Sequence, residues 1–251
     1  MNFKPLALLS AISALVAARS SAVVVFSDDF STNGSLLGTT ADIGGVWTIT
    51  GTSVINPLTV ASTALGVATT GQDAYAGLSA SVPSIAGNAI ITTFSLTVSA
   101  VQTGGDYFLH LSDPVATTSN FYSRIYARSS ATSGFYQLGI QSNSGTGNVI
   151  TYGTSEIALG QTIAVGLTWT FVAGAANDTL SLTTDGNSYI SGYTWTGNAE
   201  PAQITAVNIR QGSATTAPTL TVDNLQVNAV PEPTIAILGG LGLLTLLRRR
   251  R

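Results

Sequence analysis

The sequence predicts an all-β chain: one antiparallel β-sandwich between an N-terminal signal helix and a short C-terminal transmembrane helix. Three observations carry that prediction. Apolar residues alternate with threonine, serine and alanine at a period of two over many short runs. Clusters of Gly, Asn, Asp and Ser separate those runs, and the longest apolar stretches lie at the two ends of the 251-residue chain. Residues 1–22 read as a signal peptide, 23–229 as the sandwich and 230–251 as a tail.

The clearest strand places Ile163, Val165, Leu167, Trp169 and Phe171 on one face and Thr162, Ala164, Gly166, Thr168 and Thr170 on the other. Successive side chains in a strand point to opposite faces, so this run is half-buried with a wet outer face. Phe94, Leu96 and Val98 alternate with threonine and serine in the same way, as do Leu180 and Leu182. Further strands are expected at 23–26, 47–50, 74–79, 107–111, 121–128, 135–141, 204–210 and 220–227. Asn33-Gly34 and Asp185-Gly186 supply turns between them. No cysteine is present, so hydrophobic packing between sheets must hold the fold without disulfides.

Charge is sparse and unevenly placed. Between residues 23 and 230 only Arg124, Arg128 and Arg210 are basic, against eleven carboxylates, a net of −8. A surface of that sign repels phosphate backbones and excludes nucleic acid as a partner.

The N-terminus has a basic residue, Lys4, an apolar run from Leu6 to Ala18, and Ser20 and Ala22 at the small-residue positions of a cleavage site after Ala22. The secretion translocon is the partner this segment implies. The C-terminus reads Pro231-Glu232-Pro233, then an apolar run from Thr234 to Leu247, then Arg248, Arg249, Arg250 and Arg251. As a helix that run reaches only ~21 Å against a hydrocarbon core of ~30 Å. Four arginines hold that end in the cytoplasm, and the two prolines keep the preceding peptide extended outside the bilayer. This order of motif, brief apolar helix and Arg cluster resembles the PEP-CTERM sorting signal of Gram-negative, biofilm-forming bacteria. The resemblance implies processing by an exosortase-type enzyme, with Pro231, Glu232 and Pro233 as the recognised motif. It also implies export, membrane anchoring during sorting, and a final place on the cell surface or in a matrix rich in extracellular polysaccharide.

The course of the central region resembles a concanavalin-like, laminin-G-type jelly roll. The segments that carry this are Ser27-Asp-Asp-Phe30, Gly-Gly-x-Trp47, Gly-Gly-Asp-Tyr-Phe108, Arg124-x-Tyr-x-Arg128, Phe-x-Gln-Leu-Gly-Ile140 and Thr-Val-Asp-Asn-Leu-x-Val227. A fibronectin-like sandwich is the alternative. Retaining glucanases of the concanavalin-like fold use a Glu-x-Asp-x-x-Glu strand, which sets two carboxylates on one face for double displacement. Glu156, Glu200 and Glu232 are the only glutamates, and none begins that motif. His110 is the only histidine; Ser112 and Asp113 beside it do not form a triad along a strand, and one imidazole cannot build a multi-histidine zinc site.

Two sets of residues suit binding. Asp28 and Asp29 in the first strand and Asp223 and Asn224 in the last could converge on a structural calcium ion, the one candidate cofactor, since neighbouring terminal strands would pool hard oxygens. Turn solvation by the same residues is the alternative. The strand Phe121–Arg128 places Tyr122, Arg124, Tyr126 and Arg128 on one side at a period of two, with Gln137 and Gln141 on the next strand. Aromatic faces and guanidinium forks there suit a glycan, with extracellular polysaccharide as the partner; cross-strand packing is the competing account. With no glucanase motif, triad or zinc set, the expected function is a noncatalytic surface or matrix module. A lectin-like carbohydrate-binding module ranks second and a polysaccharide hydrolase third.

Overall fold

The computed structural model describes residues 21–53, 55–113, 120–143, 149–195 and 200–232. The expected signal helix and C-terminal helix, with Pro233 and Arg248 to Arg251, lie outside them. No helix among the described residues is long and apolar enough to cross a membrane.

Among the described residues seventeen strands make two antiparallel sheets. In chain order they are β1 (Val23–Asp28), β2 (Gly34–Ser35), β3 (Thr48–Thr50), β4 (Thr59–Ala61), β5 (Ala64–Val67), β6 (Asp73–Pro83), β7 (Ala89–Ala100), β8 (Asp106–Ser112) and β9 (Phe121–Ser129). There follow β10 (Phe135–Asn143), β11 (Thr151–Tyr152), β12 (Ile157–Ala158), β13 (Thr162–Thr170), β14 (Thr179–Thr184), β15 (Asn187–Thr194), β16 (Gln203–Ile209) and β17 (Thr219–Val230). One sheet runs β15-β14-β13-β7-β17-β5-β4-β2 with β1 also on β17. The other runs β11-β10-β9-β8-β16-β6-β3 with β12 on β10. The many non-sequential neighbours are those of a jelly roll and account for its long loops.

The alternating runs behave as their period requires. Ile163, Val165, Leu167 and Trp169 of β13 are buried, and so are Ile90, Phe94, Leu96 and Val98 of β7 beside them. From the other sheet Phe108, Leu109, Ile125, Leu138, Ile140 and Val207 meet them in one core. Trp169 and Trp195 stack at 5.0 Å. Burying two indoles raises a polar problem at Trp169, whose N–H needs an acceptor in a dry interior. Asp178 supplies it: Oδ2 accepts from Trp169 Nε1 at 2.9 Å and Oδ1 accepts from the Val172 backbone N–H at 2.8 Å. Asp28 repeats the device, accepting from Trp47 Nε1 at 2.6 Å and from the Phe30 N–H at 2.8 Å.

Burial pushes the carboxyls of both Asp28 and Asp178 above their ordinary value of 3.8, with the bonds from the indoles and backbone opposing that rise. A raised folded-state pKa adds stability that is complete below the ordinary carboxylate value and is lost as pH rises through the folded value. These two groups therefore favour the fold at acid pH rather than loosening it. Asp178→Ala leaves an indole N–H and a backbone N–H unsatisfied in the core. Chemical denaturation should read a loss of about 2–4 kcal/mol; an unchanged midpoint would remove Asp178 as the anchor of the tryptophan pair.

Candidate functional site

The outward face of β8, β9, β10 and β16 is the polar face of the molecule. All three arginines of the sandwich lie on it. Cross-strand register pairs Tyr107 with Tyr126, Tyr126 with Gly139, and Gly139 with Tyr152. A row of tyrosines thus starts from β8, β9 and β11, with Gly139 of β10 as the gap over which the Tyr152 ring lies back toward Gly105 and Arg128. The gap is needed, because a Cβ on Gly139 would meet the Tyr152 ring at 2.7 Å. Arg124 faces Gln141 on one flank of the row, and Arg128 faces Gln137 on the other.

The two flanks differ in burial and in bonding. Arg124 is 8 % exposed, Tyr126 5 % and Tyr107 8 %, so this end of the row is largely desolvated. Arg124 Nη1 donates to Gln141 Oε1 at 3.4 Å, and the Tyr126 hydroxyl donates to the same oxygen at 2.6 Å. The guanidinium packs on the Tyr107 ring at 4.3 Å, while its Nε finds no acceptor. Arg210 also packs on Tyr107, at 4.2 Å, and bonds Asp106 at 2.7 Å with Asp73 beyond it. Arg210 is thereby neutralised. Among the described residues neither Arg124 nor Arg128 has a carboxylate partner.

His110 sits under this cluster, 5.4 Å from Tyr107 and 4.3 Å from Phe121 between ring centres. It is 3 % exposed, and both ring nitrogens lack hydrogen-bond partners. Burial, reinforced by the positive charges of Arg124 and Arg210, holds the imidazole well below 6.5, so it is neutral at pH 7. Across the strand pair stands Asn208, whose Nδ2 donates to Ser112 Oγ at 2.9 Å and whose Oδ1 is unpartnered. Burial raises the Tyr107 phenol above 10 despite the opposing pull of Arg210 and Arg124. Buried polar atoms without partners are rare in folded proteins, and four of them gather in this cluster: both His110 ring nitrogens, Arg124 Nε and Asn208 Oδ1.

Period two correctly sets Arg124, Tyr126 and Arg128 together, with Gln137 and Gln141 beside them. Tyr122 departs from it. Ser123 takes φ 44°, and the β8–β9 register slips nearby, so the strand bulges there. Tyr122 is turned inward, 6.3 Å from Trp169 and 6.0 Å from Trp195, and Phe121 takes the outer face in its place. Tyr122 thus belongs to the core edge and leaves the binding row. Sequence reasoning missed Tyr107, Tyr152, Asn208 and Arg210. Only the scarcity of cations could have singled out Arg210.

The acidic group is also recomposed. Ligand oxygens of Asp28, Asp29 and Asp42 lie within 4.8 Å of one another. Asn224 lines the same cleft, but Asp223 does not join the trio. Asn224 at φ 52° lies in an irregular stretch of β17 between Asp223, which stays paired with Ser95, and Gln226. Asp42 was not foreseen, since its loop reaches the β1 end only through tertiary pairing of Ile43 with Ser27. Two exposed carboxylates and one buried one fit a hard cation that takes oxygen ligands. Both oxygens of Asp28 already hold the Trp47 and Phe30 N–H groups, which suits a structural ion.

Pro231 and Glu232 follow β17 directly, and the Glu232 N–H donates to Asn88 Oδ1 at 2.7 Å.

No family model matches the sequence, and no curated protein matches it. Solved structures do. An alginate lyase solved with an alginate trisaccharide aligns at TM-score 0.52 and 14 % identity, over 84 % of this chain and 98 % of its own. An endo-1,3-β-glucanase from Streptomyces sioyaensis aligns at TM-score 0.52 and 14 % identity, over 85 % and 98 %. The likeness establishes the fold, a concanavalin-like antiparallel jelly roll. Both neighbours are polysaccharide-cleaving enzymes. The expectation of a noncatalytic module, drawn from the missing glutamate motif, triad and zinc set, is contradicted by them: the scaffold carries catalysis in both neighbours, so those three signatures do not exhaust the chemistry it can host.

Proposed function

We propose that the domain is a polysaccharide-degrading enzyme whose substrate carries carboxylates and whose reaction is β-elimination at the Tyr107–His110–Arg124 cluster. The observation that carries this reading is Arg124, a nearly buried cation with no carboxylate partner among the described residues in a region of net charge −8. An uncompensated guanidinium in a desolvated site favours an incoming anion strongly. The alginate lyase of the same fold, solved with an alginate trisaccharide, supports a uronate as that anion.

In a 4-linked uronate the hydrogen on C5 lies beside the carboxylate. Arg124 neutralises that carboxylate and so acidifies the C5 hydrogen. His110, neutral and without hydrogen-bond partners, accepts it as a proton once the Phe121 ring beside it is displaced. The C5–H electrons become the C4=C5 double bond, the bond from C4 to the glycosidic oxygen breaks, and the Tyr107 phenol protonates that oxygen. One unsaturated uronate and one new reducing end result, and no water is consumed. Hydrolysis by two carboxylates is less well served, because Arg210 contacts both Asp73 and Asp106 on this face.

Asp28, Asp29 and Asp42 are proposed as a structural calcium site tying the end of β1 to the loop before β3. Delivery is proposed to follow the terminal motifs: export through the translocon, then removal of the tail after recognition of Pro231-Glu232-Pro233.

Incubation with alginate and polyglucuronate should raise ultraviolet absorbance from unsaturated ends, and Arg124→Ala should lower kcat/KM by about 10²–10³. Reducing ends without that absorbance would replace elimination by hydrolysis. The rate should hold across neutral pH, falling only well below 6.5, where His110 gains its proton, and above 10, where Tyr107 loses its own. Calcium should raise the melting temperature of the wild type but not of Asp42→Asn; a wild-type melting curve indifferent to calcium and chelator removes that site. Mass spectrometry of the protein from its host should find Val23 first and no terminal arginines, and an intact tail would refute processing.

A further inference from the structure

The peptide Pro231-Glu232 does not leave the sandwich on a linker. β17 keeps its pairing to the end: Ala229 lies opposite Val23 of β1 on one side and Ile90 of β7 on the other, and Val230 lies opposite Ala89. Pro231, the next residue, has no N–H with which to extend the ladder, so Glu232 carries the first amide beyond the sheet. That amide is taken. It donates to Asn88 Oδ1 at 2.7 Å, and the Glu232 side chain fills the space that a Cβ on Gly87 would occupy.

The acceptor is held in place by its own turn. Asn88 closes that turn by donating its N–H to the Ile85 carbonyl at 3.0 Å, with Gly87 at φ 89° in the third position, as a type II turn requires. The turn is pinned to the end of β13. Gly87 N–H donates to the Phe171 carbonyl at 2.8 Å, and Phe171 N–H donates to the Asn88 carbonyl at 3.0 Å. With its backbone committed, Asn88 has its side chain to offer: Nδ2 reaches back to the Pro83 carbonyl at 3.5 Å while Oδ1 accepts from Glu232. A glycine without a side chain and an asparagine with a fixed carbonyl together make a shallow seat for an extended backbone.

Resting on the delivery reading above, in which Pro231-Glu232-Pro233 is recognised and the tail removed, we infer that the Gly87-Asn88 turn is an intramolecular docking site for that motif, and that it competes with the processing enzyme for the same peptide. Recognition of an extended peptide draws on its main-chain groups. Here the Glu232 amide is engaged by Asn88, and residues 226–230 before it are paired in the sheet. The enzyme therefore acts on the fraction of molecules in which Glu232 has come away from Asn88, and its apparent affinity falls by that fraction. One hydrogen bond of ordinary worth makes the docked form roughly threefold to tenfold the more populated. Docking thus slows removal of the tail from a folded domain without forbidding it.

The test uses the full chain in its host, with Asn88→Ala and, separately, with a short Gly/Ser spacer inserted between Val230 and Pro231. Asn88→Ala keeps the backbone bonds of the turn, which an unchanged melting temperature checks. Hydrogen exchange of the purified full-length protein should find the Glu232 amide roughly threefold to tenfold slower in the wild type than in Asn88→Ala. Mass spectrometry at intervals after synthesis should find the tail lost faster by a similar factor in Asn88→Ala, and faster in the spacer chain as well. Equal Glu232 exchange in the wild type and Asn88→Ala overturns the docking site. Equal rates of tail removal in the wild type and both altered chains overturn the competition. If none of these chains loses its tail, the processing reading fails, and Glu232 exchange alone decides whether the turn docks the peptide.

Discussion

Two sheets without a disulfide must be held by what lies between them, and that inter-sheet layer is the constraint on which the rest of the molecule depends. Every long strand surrenders one of its faces to the layer, as β7 and β13 do with Phe94, Leu96, Val165 and Leu167. The layer is wide enough to take in tryptophans, and these bring polar N–H groups with them. Asp28 and Asp178 are the answer to that, two carboxylates raised toward neutrality by burial and fixed by indole and backbone donors. Rigidity at the polar face follows, because β8, β9, β10 and β16 present their outer side chains from a backbone whose inner side chains are fully packed.

On that outer face the electrostatics are those of concentration rather than abundance. Eleven carboxylates and three guanidiniums would ordinarily scatter, yet the three guanidiniums share one face of one sheet. Arg210 is neutralised by Asp106 and serves to hold Tyr107. Arg124 and Arg128 are instead restrained by neutral partners, glutamine and tyrosine, which fix geometry without discharging the cation. Negative charge elsewhere on the domain keeps anionic polymers from settling at random, so attraction is local to the row.

The inference from missing motifs to missing catalysis failed for a definable reason. Glutamate pairs, triads and zinc sets are signatures of chemistry in which the enzyme supplies two acids, a nucleophile or a metal. β-Elimination needs a cation for the substrate's own carboxylate and groups that move one proton. In the proposed reaction arginine, tyrosine and a lone histidine would supply these, and such common residues leave no spacing signature. His110 is informative only once its burial and its two unpartnered nitrogens are known.

The sequence by itself determined the all-β class, most strand positions, the reliance on packing instead of disulfides, and the grouping of Arg124, Tyr126 and Arg128. The reliance on packing follows from the absence of cysteine, and the rest from a period of two read along single strands, which is local information. Tertiary structure decided what crosses strands or breaks the period. The bulge at Ser123 sent Tyr122 into the core and brought Phe121 out. Register between β8, β9, β10 and β11 aligned Tyr107, Tyr126 and Tyr152 into a row. A loop bridge carried Asp42 to Asp28, and β16 delivered Arg210 across roughly a hundred residues to Asp106. A side chain's face is fixed by its neighbours in sequence, but its partners are fixed by strand order and register, which only the packed pair of sheets selects.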